Sequence, residues 1–492
     1  MILRTLIEKL EYSIVNGDEN INCNKLVYDS RIAGEADVFV CISGAVSDGH
    51  KFISQVVDKK VAAIVVEKDV EITEAMKDIT IVRVDDTRLA LAYMSAAYFD
   101  NPSQSIFTIG ITGTKGKTTT TFMVRNILEA CGIKTGLIGT IETIIGDEVI
   151  PSKNTTPESY KVQEYFRKMV DAGCRCVVME VSSQALMLHR TAGIVFDIGV
   201  FTNLEPDHIG TNEHKDYEDY MRCKGLLFKQ CIHGIINVDS PDVMKAIHDH
   251  TCTIETYGIH NDRAMLTAKN ISYSFENGCI ITKYQTEGIL KTDVMLHMPG
   301  EFSVYNSLCA IAITKHFNVD EEKLCKALLE VMVPGRVELV PVSDEYTAMV
   351  DFAHNAMSLK SLLETLKEYH PKRLVTLFGC GGERAVLRRS EMGEVSGKLS
   401  DFTIITSDNP KSEDPEAIMR DIEESLSKYT DRYVKIADRV EAVNYAIKNA
   451  EPGDIIVFAG KGHETYQEIA GEKVPYNERE TVLMAVERNR RK

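Results

Sequence analysis

Short continuous apolar runs alternate along the chain with longer stretches in which apolar positions return at helical spacing. That rhythm predicts buried strands separated by amphipathic helices. Over the first hundred residues the runs at 26–28, 38–42, 62–66 and 79–84 predict strands, and 89–99 predicts a helix. Asn101-Pro102-Ser103 then marks a linker, because proline disfavours helical geometry in the residue before it. Residues 1–102 therefore read as a small α/β domain. From 103 to 334 the rhythm continues, with strands expected at 106–112, 176–180, 198–202 and 234–238, and a parallel, doubly wound sheet is the natural solution. The runs at 271–275, 279–284 and 294–298 follow one another with no helical stretch between them, so they predict a small antiparallel addition. Val333-Pro334-Gly335-Arg336 interrupts the pattern. Beyond it, strands at 348–351, 373–378, 402–406 and 454–459 alternate with helices at 359–366 and 417–426, a third α/β domain over 335–492.

Composition narrows the function classes. The chain has 492 residues and a formal charge of −17, which argues against non-specific nucleic-acid binding, since that needs a basic surface. Any anionic ligand must be held by local lysines, arginines and helix N-termini. No apolar run reaches the roughly 18–20 residues of a membrane span, and Met1-Ile2-Leu3-Arg4-Thr5 does not open a signal-peptide apolar stretch. A cytoplasmic protein without membrane insertion is expected. The 12 cysteines are scattered, with no CxxC and no zinc-ligand spacing, which predicts buried thiols in a reducing compartment.

The strongest chemical signal is Gly113-Thr114-Lys115-Gly116-Lys117-Thr118-Thr119, which follows a predicted strand and opens a predicted helix. Glycines let backbone N–H groups approach phosphate oxygens, Lys117 supplies a point charge for the β/γ-phosphates, and Thr118 offers a hydroxyl to Mg²⁺. ATP or GTP is the expected ligand. The segment departs from the strict GxxxxGK[ST] form, because Ile111 stands five residues before Gly116. Two further strand ends deliver polar groups: Met179-Glu180-Val181-Ser182-Ser183 and Asn203-Leu204-Glu205-Pro206-Asp207-His208. With Thr118, Glu180 and His208 form a candidate Mg²⁺ set. Taken alone, Glu180 reads equally as a cap or ion-pair partner, His208 as a loop histidine, and Lys224 as a solvated helix lysine.

The third domain places a loop after each of four strands: Asp351-Phe352-Ala353-His354-Asn355, Gly379-Cys380-Gly381-Gly382-Glu383-Arg384, Ser407-Asp408-Asn409-Pro410-Lys411 and Gly460-Lys461-Gly462-His463-Glu464. Their glycines allow close approach, and Arg384, Lys411 and Glu464 offer both signs of charge, which suits a zwitterionic amino acid. Ordinary turn chemistry explains any one of these loops but not four at once.

Together these motifs resemble the Mur ligase family. Gly113 to Thr119 is similar to its GTNGKTT loop, with Lys115 in place of asparagine. Asn154-Thr155-Thr156-Pro157, Glu180 to Ser183, His189-Arg190, Thr202-Asn203-Leu204, Asp207-His208, Lys224 to Phe228, Tyr305-Asn306-Ser307, Pro334-Gly335-Arg336 and Gly460 to Glu464 extend the match, and Asp29-Ser30-Arg31 carries it into the first domain. The resemblance implies a UDP-binding first domain, a central ATPase and a Rossmann-like C-terminal domain that receives an amino acid. It implies ATP- and Mg²⁺-dependent addition of an amino acid to the D-glutamate of UDP-N-acetylmuramoyl-L-alanyl-D-glutamate through an acyl phosphate, by a cytoplasmic monomer. Lys117, Glu180, His208 and a carbamylated Lys224 would be catalytic, and Thr118, Glu180, His208 and the Lys224 carbamate would hold metal. Gly113, Thr114, Lys115, Gly116, Lys117, Thr118, Thr119, Asn306 and Arg336 would bind ATP. Ser30, Asn154, Thr155, Thr156, Ser182 and Arg190 would bind the UDP-muramoyl-dipeptide.

The same resemblance assigns Arg384, Asp408, Asn409, Pro410, Lys411, Gly460 and Glu464 to the amino acid. Relatives that add meso-2,6-diaminopimelate carry Asp-Asn-Pro-Arg, whereas Lys411 takes the arginine's place here. A lysine still pairs with a carboxylate as a point charge and repels the ε-ammonium of L-lysine, so meso-2,6-diaminopimelate is favoured over L-lysine. Leu188 and Asn355-Ala356-Met357 also depart from the family pattern, leaving a paralogue with another acceptor open. Folylpolyglutamate synthetase is the competing enzyme, and a nucleotide-dependent switch or binding homologue is the non-enzyme alternative.

Overall fold

The structure is a computed structural model that describes residues 1–44, 47–207, 209–210, 213–276 and 278–490. It divides into two compact units, Met1–Tyr257 with Ala312–Asn318 and Gly258–Ile311 with Val319–Lys492.

In the first unit, one sheet orders its strands Ser13–Asn16, Thr80–Arg83, Ala63–Val66, Val38–Val40, Leu26–Val27. The first pair is antiparallel and the others parallel. Helix Thr87–Tyr98 starts where the Asp86 carboxylate accepts from the backbone N–H groups of Arg88 (2.7 Å) and Leu89 (2.9 Å), an N-cap that satisfies two otherwise orphaned donors. The rings of Tyr28, Tyr98 and Phe99 lie 5.9, 6.0 and 5.1 Å from that of Tyr160, on helix Ser159–Asp171. That aromatic cluster fixes the first sheet against the layer that carries the phosphate loop.

The second sheet of this unit orders Thr253–Gly258, Cys231–Asn237, Phe196–Phe201, Phe107–Thr112, Cys176–Glu180 and Thr135–Ile138 in parallel. Glu142–Ile145 and Glu148–Pro151 then continue it antiparallel. The strands expected from the apolar runs are present. Thr253–Gly258 and the strands from Thr135 to Pro151 lack long apolar runs and were not expected from the pattern; the hairpin turns at Gly146, whose φ is 59°. Register sets Glu180 opposite Ile111 and Phe201 opposite Thr112, so three carboxyl ends finish side by side. In open α/β sheets that edge is where ligands bind.

In the second unit, Leu266–Glu276, Cys279–Gly288 and Asp293–Leu296 pair antiparallel, as the run spacing predicts. A further sheet orders Glu338–Val340, Thr347–Asp351, Asp454–Ala459, Arg373–Phe378, Phe402–Ile405 and Tyr433–Lys435, antiparallel only at its first pair. Strand Asp454–Ala459 inserts between two strands that precede it in the chain, and the loops after Asp351, Phe378, Ile405 and Ala459 gather at one edge. Arg439 is buried beneath that edge. Its guanidinium grips the Glu478 carboxylate with both Nε and Nη2 and also donates to the carbonyls of Ser407 (3.2 Å) and Ala459 (2.9 Å). No helix among the described residues is long and apolar enough to cross a membrane.

Candidate active site

The phosphate loop is shaped by its glycines and by the next strand end. Gly113 has φ 144°, and a Cβ there would stand 2.0 Å from Thr202 Oγ1, so no other residue fits. Gly116, at φ 84°, turns the chain into helix Lys117–Ala130. The loop is then pinned by Asn203: Thr114 N–H donates to its carbonyl (2.9 Å), Lys115 N–H to Asn203 Oδ1 (2.8 Å), and Asn203 Nδ2 back to the Lys115 carbonyl (3.0 Å). Lys115 also pairs with Glu205 at 2.7 Å, half-exposed and of little energetic weight. These bonds hold the loop's backbone at the helix N-terminus, a position that favours an anion.

Two lysines converge on one carbonyl. Lys117 Nζ donates to Gly113 O at 2.9 Å and to Thr114 O at 3.1 Å, while Lys224 Nζ donates to Gly113 O at 2.7 Å. Lys224 is 2% exposed and lies 4.6 Å above the Tyr220 ring. Burial, and then the neighbouring charge of Lys117, hold its amine well below the usual lysine range, with Asp207 pulling weakly the other way. The solvated helix lysine expected from local sequence is therefore incorrect. Helix Tyr217–Gly225 turns this face inward, packed so closely that a Cβ on Gly225 would meet Ala246 O at 1.9 Å.

Glu180 ends its strand buried, 1% exposed. Its carboxylate accepts from Thr118 Oγ1 (3.0 Å), the Thr140 N–H (2.8 Å) and Thr140 Oγ1 (3.0 Å). A hydroxyl and a carboxylate oxygen thus sit together at the helix N-terminus, a hard-oxygen donor set that fits Mg²⁺. The adjoining segment continues the network: Thr155 Oγ1 contacts Thr140 Oγ1 (3.1 Å), Thr156 Oγ1 donates to Glu180 O (2.8 Å) and accepts from Ser182 N–H (3.0 Å), and Arg190 Nη1 donates to Thr156 O (3.0 Å). Arg190 and Arg88 both face Glu158, at 3.8 and 2.9 Å.

In the second unit, Lys461 is completely buried and donates to Asn409 Oδ1 (2.8 Å) and Glu464 Oε2 (2.6 Å), with Asp408 Oδ1 3.4 Å away. Asn409 Nδ2 donates to Glu464 Oε2 (3.0 Å). Burial pushes the Asp408 carboxyl above the usual range, opposed by Lys461 and then Arg439. Thr406 Oγ1 and Ser407 Oγ are buried without a hydrogen-bond partner among the described residues, leaving polar capacity at this strand end. Gly382 N–H donates to Asn409 O (2.9 Å), and a Cβ at 382 would meet Pro410 O at 2.0 Å, so the glycine loop and Asp408-Asn409-Pro410-Lys411 are zipped together. Gly460, at φ 106°, brings its loop beside Asp408. Gly335, at φ 65°, packs against Gly462-His463, and the neighbouring Arg336 guanidinium lies 4.9 Å over the Phe352 ring.

This geometry has a counterpart in known proteins. Residues 111–314 match the Mur ligase middle domain and residues 335–462 the Mur ligase glutamate ligase domain. A Clostridium perfringens (strain 13 / Type A) protein named UDP-N-acetylmuramoyl-L-alanyl-D-glutamate--2,6-diaminopimelate ligase is 41% identical, over 99% of this chain and 100% of its own. The chain belongs to the Mur ligase family. A solved structure of a UDP-N-acetylmuramoyl-L-alanyl-D-glutamate--2,6-diaminopimelate ligase shares the fold, with TM-score 0.74 and 24% identity over 100% of this chain and 99% of that one. The Mycobacterium tuberculosis folylpolyglutamate synthase complexed with ADP and AMPPCP is less similar, with TM-score 0.58 and 18% identity over 76% of this chain and 92% of that one. The chain is a ligase, and the folylpolyglutamate reading is not favoured.

Seen as a Mur ligase, the first unit brings Gly113 to Thr119, Glu180, Lys224, Thr155, Thr156, Ser182 and Arg190 into one connected network. Asn154 is exposed on the segment leading into it. Ser30 lies apart from that network, buried in the turn that follows strand Leu26–Val27, with its hydroxyl on Gln55 Oε1 (3.1 Å). His208 lies outside the described residues. In the second unit, Asp408, Asn409, Pro410, Lys411, Gly460 and Glu464 gather, Arg384 is exposed at their edge, and Asn306 is buried on helix Gly300–Thr314. Sequence reasoning missed Thr140, which supplies two of the three donors to Glu180, and His214, fully buried between Ser183 Oγ (2.8 Å) and Asp219 Oδ2 (3.1 Å). Neither sits in a glycine loop or at an expected strand end, so no local signal marks them.

Proposed function

We propose that the chain joins meso-2,6-diaminopimelate to the D-glutamate of UDP-N-acetylmuramoyl-L-alanyl-D-glutamate, using ATP. The observation that carries this reading is the meeting of the phosphate loop, Glu180 and the buried Lys224 amine at adjacent strand ends of one sheet. The choice of acceptor is supported by the relative's name and by Lys411 standing where a carboxylate must be held.

The γ-phosphoryl group passes to the D-glutamate carboxylate, the acceptor's amine attacks the resulting acyl phosphate, and phosphate leaves from a tetrahedral intermediate. Catalysis here is positioning plus electrostatics. Backbone N–H groups of residues 113–119 and the Lys117 ammonium hold the transferring phosphoryl, with Asn306 and Arg336 on the nucleotide side. Thr118, Glu180 and His208 would hold Mg²⁺, which supplies charge neutralisation on the phosphates when bound. Burial, and then the charge of Lys117, lower the pKa of Lys224, which favours the unprotonated amine that attacks CO₂. Formation of the N–C bond with loss of a proton yields a carbamate, whose anionic oxygens add to the metal-binding set. Ser30, Asn154, Thr155, Thr156, Ser182 and Arg190 orient the UDP-muramoyl-dipeptide. Arg384, Asp408, Asn409, Pro410, Lys411, Gly460 and Glu464 orient the incoming amino acid. Functional divisions near residues 102 and 334, a cytoplasmic location and a monomeric state complete the proposal.

The test is phosphate release with ATP, Mg²⁺ and the UDP-muramoyl-dipeptide, comparing meso-2,6-diaminopimelate, L-lysine and L-ornithine. Turnover with meso-2,6-diaminopimelate alone is expected. Preference for lysine or ornithine would overturn the acceptor assignment while keeping the ligase, and silence with all three would point to a paralogue with another acceptor or donor.

A further inference from the structure

Next to Lys224 in the chain, helix Tyr217–Gly225 carries a polar cluster that the ligase chemistry leaves unused. The Asp216 carboxylate caps this helix, accepting from Asp219 N–H (2.8 Å). Asp219 and Cys223 stand four residues apart and so share one helix face. His214, from the segment before the helix, completes the cluster. Its Nδ1 lies 3.1 Å from Asp219 Oδ2, and Cys223 Sγ lies 3.8 Å from Asp219 Oδ1. One imidazole nitrogen, one carboxylate oxygen and the sulfur all fall within 4.8 Å of one another. His214 and Cys223 are buried, and the Asp219 side chain is only 12% exposed.

Two features point to a cation as its ligand. The first is that a positive charge already bridges it. Arg222 Nη2 donates to Asp219 Oδ1 at 2.7 Å and to Cys223 Sγ at 3.4 Å. The arginine side chain is 63% exposed, so it can swing into solvent and uncover both atoms. The second is the outer hydrogen bond of the imidazole. His214 Nε2 lies 2.8 Å from Ser183 Oγ, a hydroxyl that can accept from Nε2–H and so leave the Nδ1 lone pair facing Asp219 and Cys223. Histidines that bind metals ordinarily carry such a partner on the other ring nitrogen, which fixes tautomer and orientation. The Tyr220 ring, edge-on with its centroid 5.2 Å from that of His214, braces the imidazole further. The cysteine spacing alone gave no zinc pattern because only one of these three groups is a cysteine.

We propose that His214 Nδ1, the Asp219 carboxylate and Cys223 Sγ form a site for a borderline-soft divalent cation of the Zn²⁺ class, built from other residues than the Mg²⁺ set at Thr118 and Glu180. Imidazole and thiolate select such an ion over Mg²⁺, which prefers oxygen ligands and gives up its waters reluctantly. Separations of 3.1 and 3.8 Å already approach the roughly 3.3–3.8 Å that tetrahedral bonds of about 2.0–2.3 Å require between ligands. On binding, the S–H proton passes to solvent as the S–metal bond forms, Arg222 is released, and water takes the fourth position. Thiolate and carboxylate together neutralise the two charges of the ion. The ion ties the segment ending at His214 to the helix that carries Lys224, so occupancy stabilises that helix.

The experiment titrates the reduced full-length protein, cleared of heavy metals by chelator and returned to Mg²⁺ buffer, with Co²⁺ and then with Zn²⁺. One equivalent of Co²⁺ should produce a thiolate-to-metal charge-transfer band in the near ultraviolet, which Zn²⁺ removes and excess Mg²⁺ does not. Zn²⁺ should also raise the melting temperature. Cys223→Ser should lose the band, and His214→Gln and Asp219→Asn should each weaken Co²⁺ binding by about tenfold or more. Ser183→Ala should weaken it by about ten- to hundredfold, the range for a partner behind a metal ligand. A wild type with no band would overturn the proposal, as would an undiminished band in Cys223→Ser, since the metal would then sit on another thiol. If Cys223→Ser does not fold, Asp219→Asn decides alone, because it keeps the side-chain shape, and an unchanged Co²⁺ affinity there would equally overturn the site.

Discussion

Replacing Lys224 with methionine should separate activity from stability. The amine is 2% exposed and donates to Gly113 O at 2.7 Å, but that carbonyl also accepts from Lys117 at 2.9 Å, so Lys224→Met leaves no orphaned acceptor. Burial lowers the amine's pKa and so favours its uncharged form, and the bond lost is worth about 0.5–1.5 kcal/mol. Against this stands relief from desolvating an amine in a closed site, and an apolar side chain of similar length that fills the same space against Tyr220. The two nearly cancel, and the variant should lie within about 1 kcal/mol of the wild type or above it, a melting shift of only a few degrees. Linkage gives a second signature. The unfolded lysine holds its proton more tightly than the folded one, so the stability of the uncarbamylated wild type rises with pH from the folded pKa up to the ordinary lysine value, and this slope disappears in the variant. Phosphate release should meanwhile fall by about 10²–10³ or more, the scale for removing a preorganised electrostatic group, and added formate or acetate should restore part of it. Melting curves across pH with phosphate release on the same preparations make the test. A variant that keeps full turnover, or is destabilised by more than about 3 kcal/mol as for breaking a required buried pair, would refute the reasoning.

Three other outcomes follow from the geometry. Gly113→Ala should abolish ATP binding measured by calorimetry, because its Cβ would fall 2.0 Å from Thr202 Oγ1 at a φ that alanine avoids. Arg439→Met should cost about 3–5 kcal/mol by stranding the buried Glu478 carboxylate, and adding Glu478→Leu should recover much of that loss in denaturant titrations. Burial, then the Arg336 charge, depress the His463 pKa, so the folded protein resists a proton that the unfolded chain accepts. That contribution is complete above the unfolded value and is lost as pH falls toward the folded one, and His463→Gln should flatten this part of the acid-side loss in melting curves taken between about pH 5 and 8.

Much of the fold was legible in the chain because it depends on near neighbours. Buried parallel strands such as Cys176–Glu180 and Asp454–Ala459 are unbroken apolar runs, the phosphate loop is a contiguous string of glycines and lysine, and the four loops of the last domain each follow such a run. Thr253–Gly258 escaped because four of its six positions are not buried, and Glu142–Pro151 because two four-residue strands joined by a tight turn carry too little periodicity. For the site, sequence by itself determined which residues could do chemistry, and the family resemblance determined how they are grouped. Only tertiary structure decided their state. The Lys224 pKa is lowered because burial over the Tyr220 ring removes the amine from water and sets it beside Lys117. The Glu180 carboxylate is oriented by Thr140, forty residues away in the chain, and Glu383 faces Lys411 because two distant turns lock both in left-handed backbones. Solvation, charge proximity and loop register arise from contacts between segments that are remote in the chain, and no local pattern encodes them.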